Sequence, residues 1–326
     1  MEPPAIAQGD DPCLADGIDR YVALFRAQPP TSGLAAMRLV GDLTADRFAG
    51  QRGSDVRRFD TMIAAPGREI AVRVYDPGGS GLRPAICYIH GGGFSLGSIE
   101  SFDVIGSALA RASGAVVASV HYRRLPESSY DAAQSDCDTA FAWLVRNAAF
   151  LEVDETRIGL AGDSAGALLA LACAANMRDA GAPSPAVLLL FYGTFAMDAD
   201  RPAYRAGRDP LLTQDRIAAY VRTFTDCGGL SNTAAPLDRD DLSNMPPTHI
   251  VAAELDPLCA EAGSLAARLD AAGVPTTSRV APGMIHGFLR ATALAPLAFE
   301  ELHKAVDAVR PWLRPANDLE KHSDQG

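Results

Sequence analysis

Gly162-Asp163-Ser164-Ala165-Gly166 lies between an apolar strand-like run, Arg157-Ile158-Gly159-Leu160-Ala161, and an apolar helix-like run, Ala167-Leu168-Leu169-Ala170-Leu171-Ala172. The stretch has the form Gly-x-Ser-x-Gly, and its setting matters more than its letters. A sharp strand-to-helix turn forces its central residue into a strained backbone and holds the serine hydroxyl out at the top of a sheet. The flanking glycines admit neighbouring backbone without a Cβ clash. The helix that starts there favours negative charge. An ordinary tight turn can carry the same letters, so the surrounding chain has to decide.

Working outward, strands and helices alternate. Ala85 to Ile89, Ala115 to Val120, Arg157 to Ala161, Val187 to Phe191, Thr248 to Ala252 and Thr276 to Val280 read as short apolar strands. Asp131 to Arg146, Ala165 to Arg178, Leu258 to Ala271 and Ala295 to Trp312 read as helices between and after them. This predicts the α/β class, with a mostly parallel central sheet and helices on both faces. Arg57 to Ile63 and Ile70 to Tyr75, joined by the turn Pro66-Gly67, predict an antiparallel start. The first 50 or so residues read as helical, with Ile18, Val22 and Phe25 on one face and Pro29-Pro30 as a stop. Gly193 to Met245, rich in Gly and Pro with one amphipathic helix near Thr213 to Phe224, is too long for a simple connection and reads as an insertion. Asn317 to Gly326 reads as a polar tail.

Composition bounds the function. The 326 residues carry a net charge of -11, which argues against a nucleic-acid binder and against docking on anionic membrane. No basic and apolar leader opens the chain, and no run is long enough to span a bilayer. The six cysteines are scattered without a Cys-x-x-Cys pair, with Cys87 and Cys173 in apolar runs, so a cytoplasmic location is expected. No His-Glu-x-x-His or paired Cys/His spacing points to a metal, and no Gly-x-Gly-x-x-Gly opens a βαβ unit. No cofactor is expected.

Acyl transfer needs a nucleophile, a base, an acid that orients the base, and donors for the oxyanion. Ser164 is the nucleophile candidate. Of the six histidines, His286 lies in the glycine-containing loop Pro282-Gly283-Met284-Ile285-His286-Gly287-Phe288 between the last strand and last helix. His303 falls in a helix, His322 in the tail and His249 in a strand, so His286 is the candidate base. Asp256 closes the strand that begins near His249 and is the candidate acid, with Glu254 and Asp198 as weaker rivals. His90-Gly91-Gly92-Gly93-Phe94 follows the Ala85 to Ile89 strand, and consecutive glycines let backbone N–H groups converge. His90 reads as a loop-structuring residue rather than the base.

These motifs, together with Tyr122-Arg123-Arg124-Leu125-Pro126-Glu127 and Asp256-Pro257-Leu258, resemble the hormone-sensitive-lipase-like family of α/β-hydrolases. The likeness runs from about Ile70 to the last helix. It implies an α/β-hydrolase fold with Ser164, Asp256 and His286 as a triad. Gly91, Gly92 and Ala165 would be oxyanion donors, supported by His90, Gly93, Gly162, Asp163 and Gly166. It also implies N-terminal cap helices over residues 1–50 and a core over 51–326, with the 193–245 insertion adding to the cap. Ala167 stands where many relatives carry glycine. His121, Arg124 and Asp131 depart from the family pattern behind the site.

Within the family, the run after Ser164 and Phe191-Tyr192-Gly193 resemble bacterial acetyl esterases. The resemblance therefore implies a serine carboxylesterase acting on short-chain, acetyl-like esters of small molecules. A homodimer through the last strand and helix is a family-level expectation. An amidase, a lactonase or a deacetylase would use the same triad. A non-catalytic binding protein, like the plant hormone receptors that keep this fold but lose the histidine, is disfavoured because His286 is present.

Overall fold

The computed structural model describes residues 13–49, 55–229, 237, 239 and 241–314. The tail from Asn317, residues 1–12 and most of 230–240 lie outside the described residues. In chain order the elements are α1 (Ile18–Arg26), α2 (Leu34–Leu43), α3 (Asp46–Ala49), β1 (Arg57–Ala65), β2 (Arg68–Asp76), β3 (Arg83–Ile89), α4 (Asp103–Ser113), β4 (Val116–Val120) and α5 (Tyr130–Arg146). They continue with β5 (Val153–Asp163), α6 (Ala165–Asp179), β6 (Leu188–Phe191), α7 (Gln214–Asp226), β7 (Thr248–Ala253), α8 (Cys259–Ala271), β8 (Thr276–Ala281) and α9 (Pro296–Leu313).

The strands form one 8-stranded sheet in the order β1-β2-β4-β3-β5-β6-β7-β8. β1 and β2 form a hairpin closed by Ala65 opposite Arg68, with Gly67 at φ 71° in the turn. β2 is also antiparallel to β4, and every later pairing is parallel. The α/β, mostly parallel reading and the antiparallel start both hold.

Alternation along the strands serves two cores. In β3, Ala85, Cys87 and Ile89 face one way, into a core closed by α5, α6 and α8. Ile86 and Tyr88 face the other way, into a core closed by α1, α4 and α9. Both faces are covered, which is why the parallel strands read as nearly continuous apolar runs. Burial pushes the Cys87 thiol up to about 12, so it behaves as a small hydrophobe.

One helix is absent from the sequence reading, which places the glycine loop after Ile89 but no helix before Ala115. α4 occupies that stretch, with Val104, Ile105, Ala108, Leu109 and Ala112 buried at helical spacing. Gly106 and two serines lower its helix propensity and mask the signal. Gly106 is needed there because a Cβ would sit 2.4 Å from the Tyr75 ring. Tertiary packing overrides propensity at that position.

The parallel strands end level with one another. Ile89 is opposite Gly162, Asp163 opposite Phe191, Phe191 opposite Val251, and Ala253 opposite Ala281. The loops that follow β3, β5, β7 and β8 therefore meet at one edge of the sheet.

The turn from β5 into α6 works only with glycine at its flanks. A Cβ on Gly162 would lie 2.2 Å from the Gly166 carbonyl oxygen, and one on Gly166 would lie 2.1 Å from the Ile89 oxygen. Both obstacles are backbone, so neither can swing away. Gly162→Ala is expected to cost roughly 1–3 kcal/mol or more through overpacking. A urea denaturation midpoint equal to that of the unsubstituted protein would contradict this.

Candidate active site

Ser164 is the first residue after β5 and sits at φ 53°, ψ −123°, a conformation that side chains rarely adopt. Its N–H donates to the Phe191 carbonyl at 2.9 Å, and α6 begins at the next residue. The hydroxyl is thereby fixed at the sheet edge beside a helix N-terminus.

The loop after β8 brings His286 to it. His286 Nε2 lies 2.8 Å from Ser164 Oγ, and Nδ1 lies 2.7 Å from Asp256 Oδ2. Asp256 is 3% exposed, and its Oδ1 accepts the Leu258 N–H at 2.8 Å. The carboxylate thus has one oxygen tied to its own turn and the other free for the imidazole. The Tyr192 ring packs edge-on against His286, with centroids 5.1 Å apart, and limits its rotation. The two rival acids do not reach the imidazole. Glu254 accepts the Gly283 N–H, and Asp198 caps its own turn at Asp200.

The loop after β3 corrects one expectation. The Gly91 N–H donates to Asp163 Oδ1 at 2.8 Å, so it is committed within the protein and is not available to a substrate oxyanion. Asp163 is buried and also accepts the Tyr88 hydroxyl at 2.6 Å, which locks the glycine loop to the elbow. Gly92 and Gly93 line the pocket in front of Ser164. Their N–H groups and that of Ala165 have no backbone acceptor among the described residues. These three N–H groups, unlike that of Gly91, which Asp163 holds, are left without a partner in the protein backbone among the described residues. Gly92 at φ 113° uses the freedom of glycine, and at Gly93 a Cβ would run into the Tyr220 ring.

His90 is fully buried and stacks on Tyr122 with centroids 4.4 Å apart. Its Nδ1 contacts the Gly91 oxygen at 2.8 Å, and burial drops its pKa to about 3, so it stays neutral and structural. The departures from the family pattern also lie away from the hydroxyl. Arg124 donates to the Gly97 oxygen at 2.7 Å, and Asp131 is exposed in the first turn of α5, where a negative charge suits the helix dipole. His121 is pushed below its ordinary pKa by burial and by Arg124.

A profile described as the alpha/beta hydrolase fold matches residues 86–290. The chain belongs to the α/β-hydrolase family. The carboxylesterase NlhH of Mycobacterium tuberculosis is 36% identical over 320 residues, covering 95% of this chain and 98% of that protein. The acetyl esterase of Salmonella typhi is 30% identical over 306 residues, covering 89% and 93%. Among solved structures, a hyperthermophilic esterase from the archaeon Pyrobaculum calidifontis superposes with a TM-score of 0.82 at 32% identity, covering 91% and 98%. Among the described residues no helix is long and apolar enough to cross a membrane.

In this hydrolase a pocket of about 550 Å³ opens over Ser164. Tyr21, Met37 and Val40 line it from α1 and α2, and Leu211, Ile217 and Tyr220 line it from the segment that contains α7. α2 buries none of its residues fully. It is tethered by Arg38, which donates to the carbonyls of Ser95 and Leu125 and pairs with both oxygens of Glu127.

The sequence reading passed over Asp209, a second carboxylate at the imidazole. Its Oδ2 accepts the His286 backbone N–H at 2.6 Å, while Oδ1 accepts the N–H groups of Leu211 and Leu212 at 2.7 and 2.9 Å. The signal was present. Asp209-Pro210-Leu211 repeats Asp256-Pro257-Leu258, and in both the aspartate holds the N–H two residues on with one oxygen. Both then offer the other oxygen to His286, one to the backbone and one to the ring. Asp209 is a positioning residue that ties the insertion to the histidine loop.

Burial alone would depress the His286 pKa. Asp256 outweighs it, with further help from the charges of Asp209 and Asp163, and the net shift is upward from 6.5. An imidazole must be neutral to act as a base, so activity falls as pH drops through that raised value. Asp209→Asn keeps one of the two acceptor oxygens, replaces the other with a donor, and removes a negative charge. The acid limb of the kcat/KM profile is expected to move to lower pH, while Asp209→Ala also loses rate at the plateau. An unmoved limb in Asp209→Asn would show that its charge does not act on His286.

Proposed function

We propose that the protein is a serine carboxylesterase that cleaves short-chain, acetyl-like esters of small molecules through a covalent acyl-enzyme. The observation that carries this reading is the continuous chain Ser164 Oγ, His286 and Asp256, with contacts of 2.8 and 2.7 Å. The protein hydrolyses carboxylic esters. His286 Nε2 takes the Ser164 proton as Oγ attacks the ester carbonyl. The imidazolium that forms is stabilised by the buried Asp256 carboxylate. The N–H groups of Gly92, Gly93 and Ala165 hold the tetrahedral oxyanion, aided by the N-terminus of α6. His286 then returns the proton to the leaving alcohol. Water, deprotonated by the same imidazole, attacks the acyl-Ser164 and releases the acid.

Two features support a short acyl chain. The first is the likeness to the acetyl esterase. The second is the Tyr220 ring, which stands against the glycine loop so closely that a Cβ on Gly93 would lie 2.3 Å from it. That ring restricts the space next to the proposed oxyanion donors.

Ser164→Ala is expected to abolish turnover of p-nitrophenyl acetate, and an organophosphate is expected to label Ser164 covalently. Asp256→Asn is expected to lower kcat by roughly 10⁴-fold through loss of the correct imidazole tautomer. In a p-nitrophenyl ester series, kcat/KM should fall beyond butyrate, and Tyr220→Ala should move the maximum to longer chains. A maximum at hexanoate or beyond in the unsubstituted protein would overturn the short-chain assignment. Parallel rates on an ester and its matching amide would instead identify an amidase.

A further inference from the structure

The wall of the pocket has the opposite charge from the rest of the protein. The chain carries a net charge of -11. Yet the charged residues lining the pocket are Arg26, Arg38, Arg216 and Arg290 against Asp163 alone. Asp163 is spent on Tyr88 and Gly91, and Arg38 is neutralised by Glu127. Among the described residues, Arg26, Arg216 and Arg290 form no ion pair with a carboxylate.

Arg290 is the unusual member. It lies on the short 3-10 turn Phe288–Ala291 that follows His286. Its Nε and Nη2 are closed off from solvent and have no hydrogen-bond acceptor. A guanidinium cannot shed its charge, so donors shielded in this way are costly unless something accepts from them. The Phe48 and Phe102 rings lie 4.7 and 5.3 Å from its Cζ and offset part of that cost by cation–π attraction. Neither ring supplies an oxygen. The Tyr21 phenol, raised by burial, is pulled back by the Arg290 charge and by a side-chain hydrogen bond with it, which leaves Nε and Nη2 as the unpartnered donors.

Arg26 and Arg216 stand at the rim and reach the same point from α1 and α7. Arg26 donates to the Pro210 carbonyl at 3.4 Å and Arg216 to the Leu211 carbonyl at 2.8 Å. Two exposed guanidinium groups at the mouth and one shielded guanidinium within form a cationic path to Ser164. Their field would draw an anion in against the charge of the whole protein. Nε and Nη2 are closed off, but Arg290 lines the pocket, so its fixed charge acts on a carboxylate held there.

We propose that the substrate is an ester that carries a free carboxylate, bound by Arg290 and guided by Arg26 and Arg216. This rests on the serine esterase reading of Ser164 and adds the chemical class of its substrate. The test pairs esters of equal carbon count that differ in a terminal carboxylate. Mono-p-nitrophenyl glutarate is compared with p-nitrophenyl pentanoate for the acyl side. 3-Acetoxypropanoate is compared with propyl acetate for the alcohol side. The expected result is a preference in kcat/KM for the carboxylate member of one pair by about ten- to a hundredfold, the range of a charge-assisted hydrogen bond. That ratio should collapse in Arg290→Met, mainly through KM, recover in part in Arg290→Lys, and weaken with added salt in Arg26→Met and Arg216→Met comparisons. Using the ratio within each variant cancels any general loss of folded enzyme. Equal rates, or a preference for the neutral member, in both pairs would overturn the proposal while leaving the esterase reading intact. Failure to hydrolyse any of the four esters, with no organophosphate labelling of Ser164, would instead sink the esterase reading beneath it.

Discussion

Everything at the site depends on how closely three pieces of backbone approach one another. β3, β5 and the start of α6 meet where Gly91, Gly162 and Gly166 leave no room for a side chain. That contact holds Ser164 at φ 53°. It also places the glycine loop in front of the hydroxyl and the N-terminus of α6 behind it. The strain at one residue is carried by a buried sheet whose strands cannot shift without losing two cores. Reactive geometry here is a product of packing density, with few polar contacts needed at the serine itself.

Polar contacts take over one layer further out. Asp163 ties the elbow to the loop after β3, Asp256 ties β7 to His286, and Asp209 ties the inserted segment to the same histidine. Asp256 and Asp209 each give one oxygen to their own turn backbone and the other to His286, whereas Asp163 accepts both the Tyr88 hydroxyl and the Gly91 N–H on Oδ1. Loops from distant parts of the chain are thereby held in register.

Much of this was legible in the sequence, for identifiable reasons. Buried parallel strands show as short apolar runs, and the strand-turn-helix context exposes the elbow. The histidine and its acid could be chosen because loops at strand ends are the places where side chains converge. α4 escaped notice because Gly106 answers to the Tyr75 ring rather than to helix propensity. The glycine loop was misread by one residue, since composition cannot say which N–H is already taken by Asp163. Asp209 was passed over because its role depends on a contact with a residue far along the chain, although its Asp-Pro-Leu turn repeats that of Asp256.

The attachment of α2 has a consequence of its own. This helix forms part of the roof over Ser164, yet it keeps no fully buried residue and is held by the guanidinium of Arg38. Its Leu34, Met37 and Val40 are only half-buried, and directional bonds from Arg38 and to Asp42 tie it to the loop after β3. Such an element can lift away at a free-energy cost well below that of global unfolding. The roof and the sheet are thus separate in stability. Changes in the roof over evolutionary time need not disturb the elbow.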